Sequence, residues 1–212
     1  MHLVVKASAQ QKEEFLEKGF PNNIVVSFYE ADMVIEDADA YFDLLFEDEG
    51  PAFSSIKDKP VFVNAVLVTS DSLPINAIRI NAWNGFFKRE VVEIVAKVQP
   101  DDTQVTQILN DGMAILQKLN WKYQLVPDVP GMIAARIISM IVNEAYFGLG
   151  EEISSKAEID IAMKLGTNYP YGPFEWSEKI GLQKIYDLLK KLSVKDQRYS
   201  IAPSMENEIH SK

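Results

Sequence analysis

Residues 76–95, NAIRINAWNGFFKREVVEIV, run from an apolar, strand-like stretch into a polar turn, the kind of place where α/β proteins keep catalytic groups. The turn offers Asn81, Trp83 and Asn84, and no side chain that titrates near neutral pH. The rest of the chain supplies little to compensate. Its two histidines, His2 and His210, are at the termini, and cysteine is absent. An interior catalytic histidine, thiolate chemistry, disulfides and most zinc sites are therefore excluded. A magnesium or calcium site built from carboxylates survives that test. The densest acidic stretches, EDADAYFDLLFEDEG (36–50) and QPDDT (99–103), lack EF-hand spacing, however, and read as solvated surface.

Glycine placement narrows the chemistry further. A dinucleotide-binding turn needs glycines so that the backbone can approach a pyrophosphate at a helix N-terminus. The first strand-like run, HLVVKA, leads instead into Ser8 and Ala9. The chain's G-x-G, Gly148-Leu149-Gly150, closes a helix and lacks a third glycine, and no P-loop occurs. With the phosphate cradle missing, no cofactor is expected. The net charge of −10 argues against nucleic acid as a partner. A small anion remains open where basic residues cluster, with Lys57, Lys59, Lys88 and Arg89 as candidates and solvated surface as the simpler account. No apolar run is long enough to span a bilayer, and the opening apolar stretch is too short for a signal-peptide core. Together with the lack of cysteine this gives the expectation of a cytoplasmic protein.

The elements that must position these residues alternate over the first 127 positions. HLVVKA, NNIVVSFYE, ADMVIED, KPVFVNAVLVT, AIRINAW, VVEIVAKV and WKYQLVPD read as strands. QQKEEFLEKG reads as a helix, and Asp102 or Thr103 caps another through about Leu119, with Val105, Ile108, Leu109, Met113 and Leu116 as its apolar stripe. Such alternation predicts a mostly parallel sheet with helices against it. From Asp128 the pattern becomes helical. The run over 132–147 carries two stripes, Ile133, Ile137, Ile141, Ala145 and Ile138, Val142, Tyr146, which suit a subunit interface and a helix buried within one subunit equally well. Helices follow around SKAEIDIAMKLG and FEWSEKIGLQKIYDLLKKL. From Pro203 the composition is polar, and a flexible tail is expected over 203–212.

At DVPGMIAARIISMIVNEA and IDIAMKLGTNYPYGPFEWSEKIGL the chain resembles the C-terminal domain of the 3-hydroxyacyl-CoA dehydrogenases. The family pattern, D-x-P-G-F-x-x-N-R, then N-E-A, then I-D-x-A-M-x-x-G-x-x-x-P-x-G-P-F-E, is matched at Asp128, Pro130, Gly131, Arg136, Asn143 and Glu144. It is matched again at Asp160, Gly166, Pro170, Gly172, Pro173 and Glu175. Weaker similarity reaches ADMVIED. The resemblance implies an α/β, truncated Rossmann-like N-terminal domain (1–127) followed by an all-α C-terminal domain (128–202). The N-terminal part is shorter than the family's by roughly two βα units.

The resemblance also interprets the opening stretch. The family's G-x-H-F-F-N-P carries its catalytic histidine, which a glutamate orients. On this chain Asn81 falls at the histidine, Asn84 at the asparagine, and Glu93, twelve residues past Asn81, at the orienting carboxylate. The family's catalytic asparagine falls on Ala135. Its S-N-T-S segment, which holds nicotinamide and substrate, falls on Asn64 to Val68, with Thr69 and Ser70 close behind. An amide cannot replace the histidine as base, and losing a positioned base costs about a hundred- to ten-thousand-fold in rate. The reading is of a degenerate family member that keeps acyl-CoA binding, or a homodimer through the helical domain. The alternatives are an active NAD-dependent oxidoreductase of 3-hydroxyacyl-CoA with an altered site, and a purely structural partner in an oligomer.

Overall fold

The β-branched run at the start of the chain forms β1 (His2–Lys6). Leu3 and Val5 enter the core on one face of a sheet and Val4 on the other. A computed structural model describes residues 1–30, 33–96 and 103–211, and the chain divides into two units, Met1–Met132 and Ile133–Lys212. In the first unit β1 is joined by β2 (Val25–Phe28), β3 (Ala40–Asp43), β4 (Val61–Asn64), β5 (Ala77–Ile80), β6 (Val91–Val95) and β7 (Lys122–Leu125). The seven strands are ordered β2-β1-β3-β4-β5-β6-β7, and every neighbouring pair is parallel except β5 with β6. The sheet is thus mostly parallel, as the alternation predicts.

Two helices, α1 (Ala9–Lys18) and α3 (Thr103–Lys118), cover one face of the sheet. Phe15 of α1 and Val105, Leu109, Ile115 and Leu116 of α3 pack there with Leu3, Val5, Phe42, Phe62, Ile78 and Ile80. The opposite face, around Val4, Tyr41, Val61 and Val63, is covered mainly by loop residues, among them Ala38, Phe53, Ile56 and Leu73, with Phe46 of the short α2 (Phe46–Glu49). The α3 stripe agrees with its expected positions. Asp102 as a cap, the end of the expected strand past Ala96, and residues 99–102 of QPDDT lie outside the described residues.

One strand is displaced from its expected place. ADMVIED is not a strand over its described residues 33–37, where Met33 and Val34 are exposed. The strand is instead Ala40–Asp43, inside the stretch read as solvated surface, and all four of its residues are buried between β1 and β4. The acidic residues around it masked the signal. Asp37 and Asp39 belong to the approach, where backbone and side chain fasten His2: the Asp39 carboxylate accepts the His2 N–H at 2.7 Å.

Asp43 itself is buried in this strand. One oxygen accepts the Ala52 N–H at 2.8 Å and the other has no hydrogen-bond partner. Burial pushes its pKa up to about 6, with the Ala52 N–H and Lys6 opposing. A raised carboxyl pKa means that the folded state holds a proton that the unfolded chain releases. This contribution to stability is present below the ordinary pKa near 4 and is lost as pH rises to about 6. Relative to Asp43→Asn, the wild type should therefore lose about 3 kcal/mol of unfolding free energy between pH 4 and 7. Urea titrations of both proteins across that range check this, and parallel curves would contradict it.

The second unit is all-α: α4 (Ala134–Gly150), α5 (Lys156–Thr167), α6 (Pro173–Ile180), α7 (Leu182–Ser193) and α8 (Pro203–His210). Of the second stripe, Val142 and Tyr146 are buried and Ile138 half-buried, whereas in the first stripe Ile137 of α4 and Ile133, just before the helix, are exposed. The residues expected as a flexible tail form α8. Pro203 opens the helix, Met205 is fully buried, and Lys156 of α5 pairs with Glu208 at 2.6 Å. Asn143 of α4 fixes the approach to it by donating to the Ser200 carbonyl at 2.8 Å and accepting the Ala202 N–H at 2.9 Å. A polar composition concealed the one apolar pair, Met205 and Ile209, spaced for a single helical face.

Candidate functional site

In a parallel sheet, ligands favour the crevice at the carboxyl ends of the strands where the strand order reverses. Here that point lies between β1 and β3, since β2 flanks β1 on one side and β3 to β5 extend on the other. The chain leaving β1 turns directly into α1. Ser8 caps the helix, its hydroxyl accepting the Gln11 N–H at 3.3 Å while the Gln11 side-chain oxygen accepts the Ser8 N–H at 3.0 Å. The Gln11 amide then donates across the crevice to the carbonyl of Leu44, just past β3, at 2.8 Å, and to that of Ala82 at 3.3 Å. Asn64 at the end of β4 reinforces the same bridge, donating to Leu44 at 3.1 Å and accepting the Ala82 N–H at 2.9 Å.

The turn after β5 grows from this framework. Asn81 and Glu93 are brought together across the antiparallel pair: the Asn81 amide donates to the Glu93 carboxylate at 3.4 Å, and both are buried. The Asn81 oxygen accepts the Trp83 N–H at 3.4 Å. Asn84 points elsewhere, donating to Gln10 of α1 at 3.0 Å. Gly85 follows with φ of +91°, and both oxygens of the buried Glu14 accept its N–H at 2.8 Å. Gln11 and Glu14 escaped the sequence reading. Their signal was two polar residues on the face of α1 that also carries the buried Phe15.

Thr69 and Ser70 belong to a different cluster. Thr69 precedes a short 3-10 turn over Ser70–Ser72. The Ser70 N–H donates to both Asp128 oxygens at 3.2 Å, and the Ser70 hydroxyl is buried without a hydrogen-bond partner. Arg79 of β5 anchors this cluster. Fully buried, it pairs with Asp128 and donates to the Ala65 carbonyl at 2.9 Å. Glu47 receives the N–H groups of Leu67 at 2.6 Å and Val68 at 3.3 Å. Burial lowers the Arg79 pKa against the pull of Asp128, and raises that of Glu47 against its backbone donors and Arg79. Ala135 belongs to the other unit, buried in the first turn of α4. Among the described residues, no group of three or more His, Asp or Glu is placed to hold a metal, and no helix is long and apolar enough to cross a membrane.

The motif residues of the helical unit act as latches. Asp160 of α5 caps α6, accepting the Phe174 N–H at 2.8 Å and the Glu175 N–H at 3.2 Å. Gly172 passes so close that an added Cβ would lie 2.5 Å from the Asp160 Cα. Glu175 reaches back to the Gly172 N–H at 2.9 Å and pairs with Lys164.

Residues 131–210 match the family described as 3-hydroxyacyl-CoA dehydrogenase, C-terminal domain. The chain is 38% identical over 107 residues to 3-hydroxyadipyl-CoA dehydrogenase of Escherichia coli (strain K12), covering 49% of this chain and 21% of that protein. It is 33% identical over 148 residues to 3-hydroxybutyryl-CoA dehydrogenase of Clostridioides difficile, covering 68% of this chain and 51% of that protein. The chain thus spans about half the length of such curated relatives, or less. Among solved structures, (S)-3-hydroxybutyryl-CoA dehydrogenase from Ralstonia eutropha matches with a TM-score of 0.65 over 99% of this chain and 93% of that one. The identity there is 17%, so this likeness speaks for the fold. The latches at Asn143, Asp160 and Gly172 fall within the matched helical segment, and that segment belongs to the family of 3-hydroxyacyl-CoA dehydrogenase C-terminal domains.

Proposed function

We propose that the chain is a degenerate 3-hydroxyacyl-CoA dehydrogenase homologue, impaired in the dehydrogenase reaction, that retains acyl-CoA binding or dimerisation. The pairing of Asn81 with Glu93 carries this reading. In the family, as the resemblance implies, a histidine takes the proton of the 3-hydroxyl while hydride passes to NAD. Asn81 stands at that position with its amide committed to Glu93 and its oxygen to Trp83, and an amide does not take up a proton in this pH range. Gly85 adds independent support. It falls at the proline of the family's pattern, yet its φ of +91° is closed to proline and its N–H is bound by Glu14. Arg79 takes the glycine of the same pattern and serves the buried ion cluster instead.

The residues of the switch-point crevice do not fit NAD. A pyrophosphate needs an open helix N-terminus and close backbone approach. At α1 the Ser8 hydroxyl takes a first-turn donor, and the Gln11 side chain bridges the crevice. The exposed apolar residues Ile137 of α4 and Ile161 and Leu165 of α5 support a homodimer through the helical domain. The lack of cysteine suits a reducing cytoplasm.

A second reading, an active NAD-dependent oxidoreductase with an altered site, is favoured by one observation. The buried, unpartnered Ser70 hydroxyl, next to Thr69, is a polar group available to a substrate. Ligand-induced thermal shifts separate the readings. Acetoacetyl-CoA should raise the melting temperature and NADH should not. No shift with either ligand would leave dimerisation as the retained property, and a shift with NADH would favour the second reading.

A further inference from the structure

Two of the basic residues singled out in the sequence, Lys88 and Arg89, come together with Lys18 at the end of α1 and Lys122 at the start of β7. They surround an open cavity of about 460 Å³ in the N-terminal unit, whose other charged walls are Glu17 and Glu90. Four cations thus face two carboxylates within a chain of net charge −10. Both carboxylates are engaged: Glu17 pairs with Lys88 and Glu90 with Lys122. Lys18 and Arg89 are in no ion pair among the described residues. Lys18 is nevertheless held in place, its ammonium donating to the Arg89 carbonyl at 2.7 Å and lying 5.4 Å from the centroid of the Trp121 ring. The Arg89 guanidinium rests 5.7 Å from the centroid of the Phe86 ring. Burial draws the Lys18 pKa down against the pull of Glu90, so an anion brought beside it favours its charged form.

We propose that this cavity is a binding site for a small phosphorylated anion, with Lys18 and Arg89 as its principal contacts. An ammonium fixed beside a guanidinium offers a point charge and a planar fork of donors to the same cluster of phosphate oxygens. Lys57 and Lys59, the other candidates, are not part of the cavity. The proposal is independent of the argument from Asn81 and Glu93, since neither residue lines the cavity.

Calorimetric titration of the full chain with inorganic pyrophosphate at low ionic strength tests it. Saturable binding at one site per chain is expected. Arg89→Ala should weaken it at least tenfold, while the double variant Lys57→Ala/Lys59→Ala leaves it unchanged. Arg89 is exposed, with its guanidinium near the Phe86 ring, so its removal leaves the core intact, which a thermal melt verifies. Absence of saturable binding, wild-type affinity in Arg89→Ala, or equal weakening in the Lys57/Lys59 variant would each overturn the proposal. Competition with coenzyme A then identifies the source of the phosphate. Displacement of pyrophosphate points to the coenzyme's phosphates and lack of displacement to a free anion, and both leave the site standing.

Discussion

Arg79→Ala is expected to lower the unfolding free energy of the N-terminal unit by about 3–5 kcal/mol, the usual cost of breaking a buried ion pair from one side. The guanidinium is wholly enclosed. It donates to the Ala65 carbonyl, pairs with Asp128 and is the cation that offsets the burial of Glu47. Without it the half-buried Glu47 carboxylate is left to the Leu67 and Val68 N–H groups. Asp128 suffers less, because its side chain is one-third exposed and water can take over part of the interaction. Against a typical total stability of about 5–15 kcal/mol, such a loss consumes much of the margin. Chemical denaturation of both proteins measures it. A cost below about 1 kcal/mol would show that solvent already screens the cluster. The double variant Arg79→Met/Glu47→Gln should recover part of the loss, since it removes the stranded carboxylate along with its partner.

In the helical unit, Gly172→Ala should cost about 2–4 kcal/mol, combining overpacking with loss of a helix cap. The added Cβ would approach the Asp160 Oδ1 to 2.3 Å and the Asp160 Cα to 2.5 Å. A side-chain tip could swing away, but the backbone atom cannot, so α5 and the start of α6 must separate. That separation draws the Asp160 carboxylate off the Phe174 and Glu175 N–H groups. Gly166→Ala in α5 is the control, because nothing lies within 4 Å of its added Cβ. It should be neutral or stabilising by up to about 1 kcal/mol. Thermal unfolding of the three proteins decides the matter, and equal melting temperatures for Gly172→Ala and the wild type would refute the close-packing explanation.

These two variants also mark where the sequence was informative. Gly172, Asp160 and Asn143 were visible as residues of the family pattern; Gly172 and Asp160 join α5 to α6, and Asn143 fixes the approach to α8. The helices α4 to α7 were legible through strong periodicity and clear stops. β3 was not. Four buried residues bounded by acids carry too little pattern to outweigh the charge around them, and the strand became apparent only between its partners β1 and β4. α8 was hidden likewise, because its order comes from Met205 and from the Asn143 latch rather than from its own composition. The Asn81–Glu93 contact followed from aligning the turn. The plug formed by Gln11, and the Glu14 carboxylate under Gly85, did not, because both depend on where α1 lies over the turn after β5.

The central claim is that the crevice between β1 and β3 is closed to a dinucleotide and that Asn81 holds no catalytic proton. The NADH arm of the thermal-shift titration tests it most directly. A ligand present at a hundred times its dissociation constant stabilises the fold by about 2.7 kcal/mol, a shift of roughly 5 °C or more for a chain of this size. No shift is expected with NADH up to millimolar concentration, alone or with acetoacetyl-CoA. A saturable rise with NADH would contradict it and turn attention to the hydroxyls of Ser70 and Thr69.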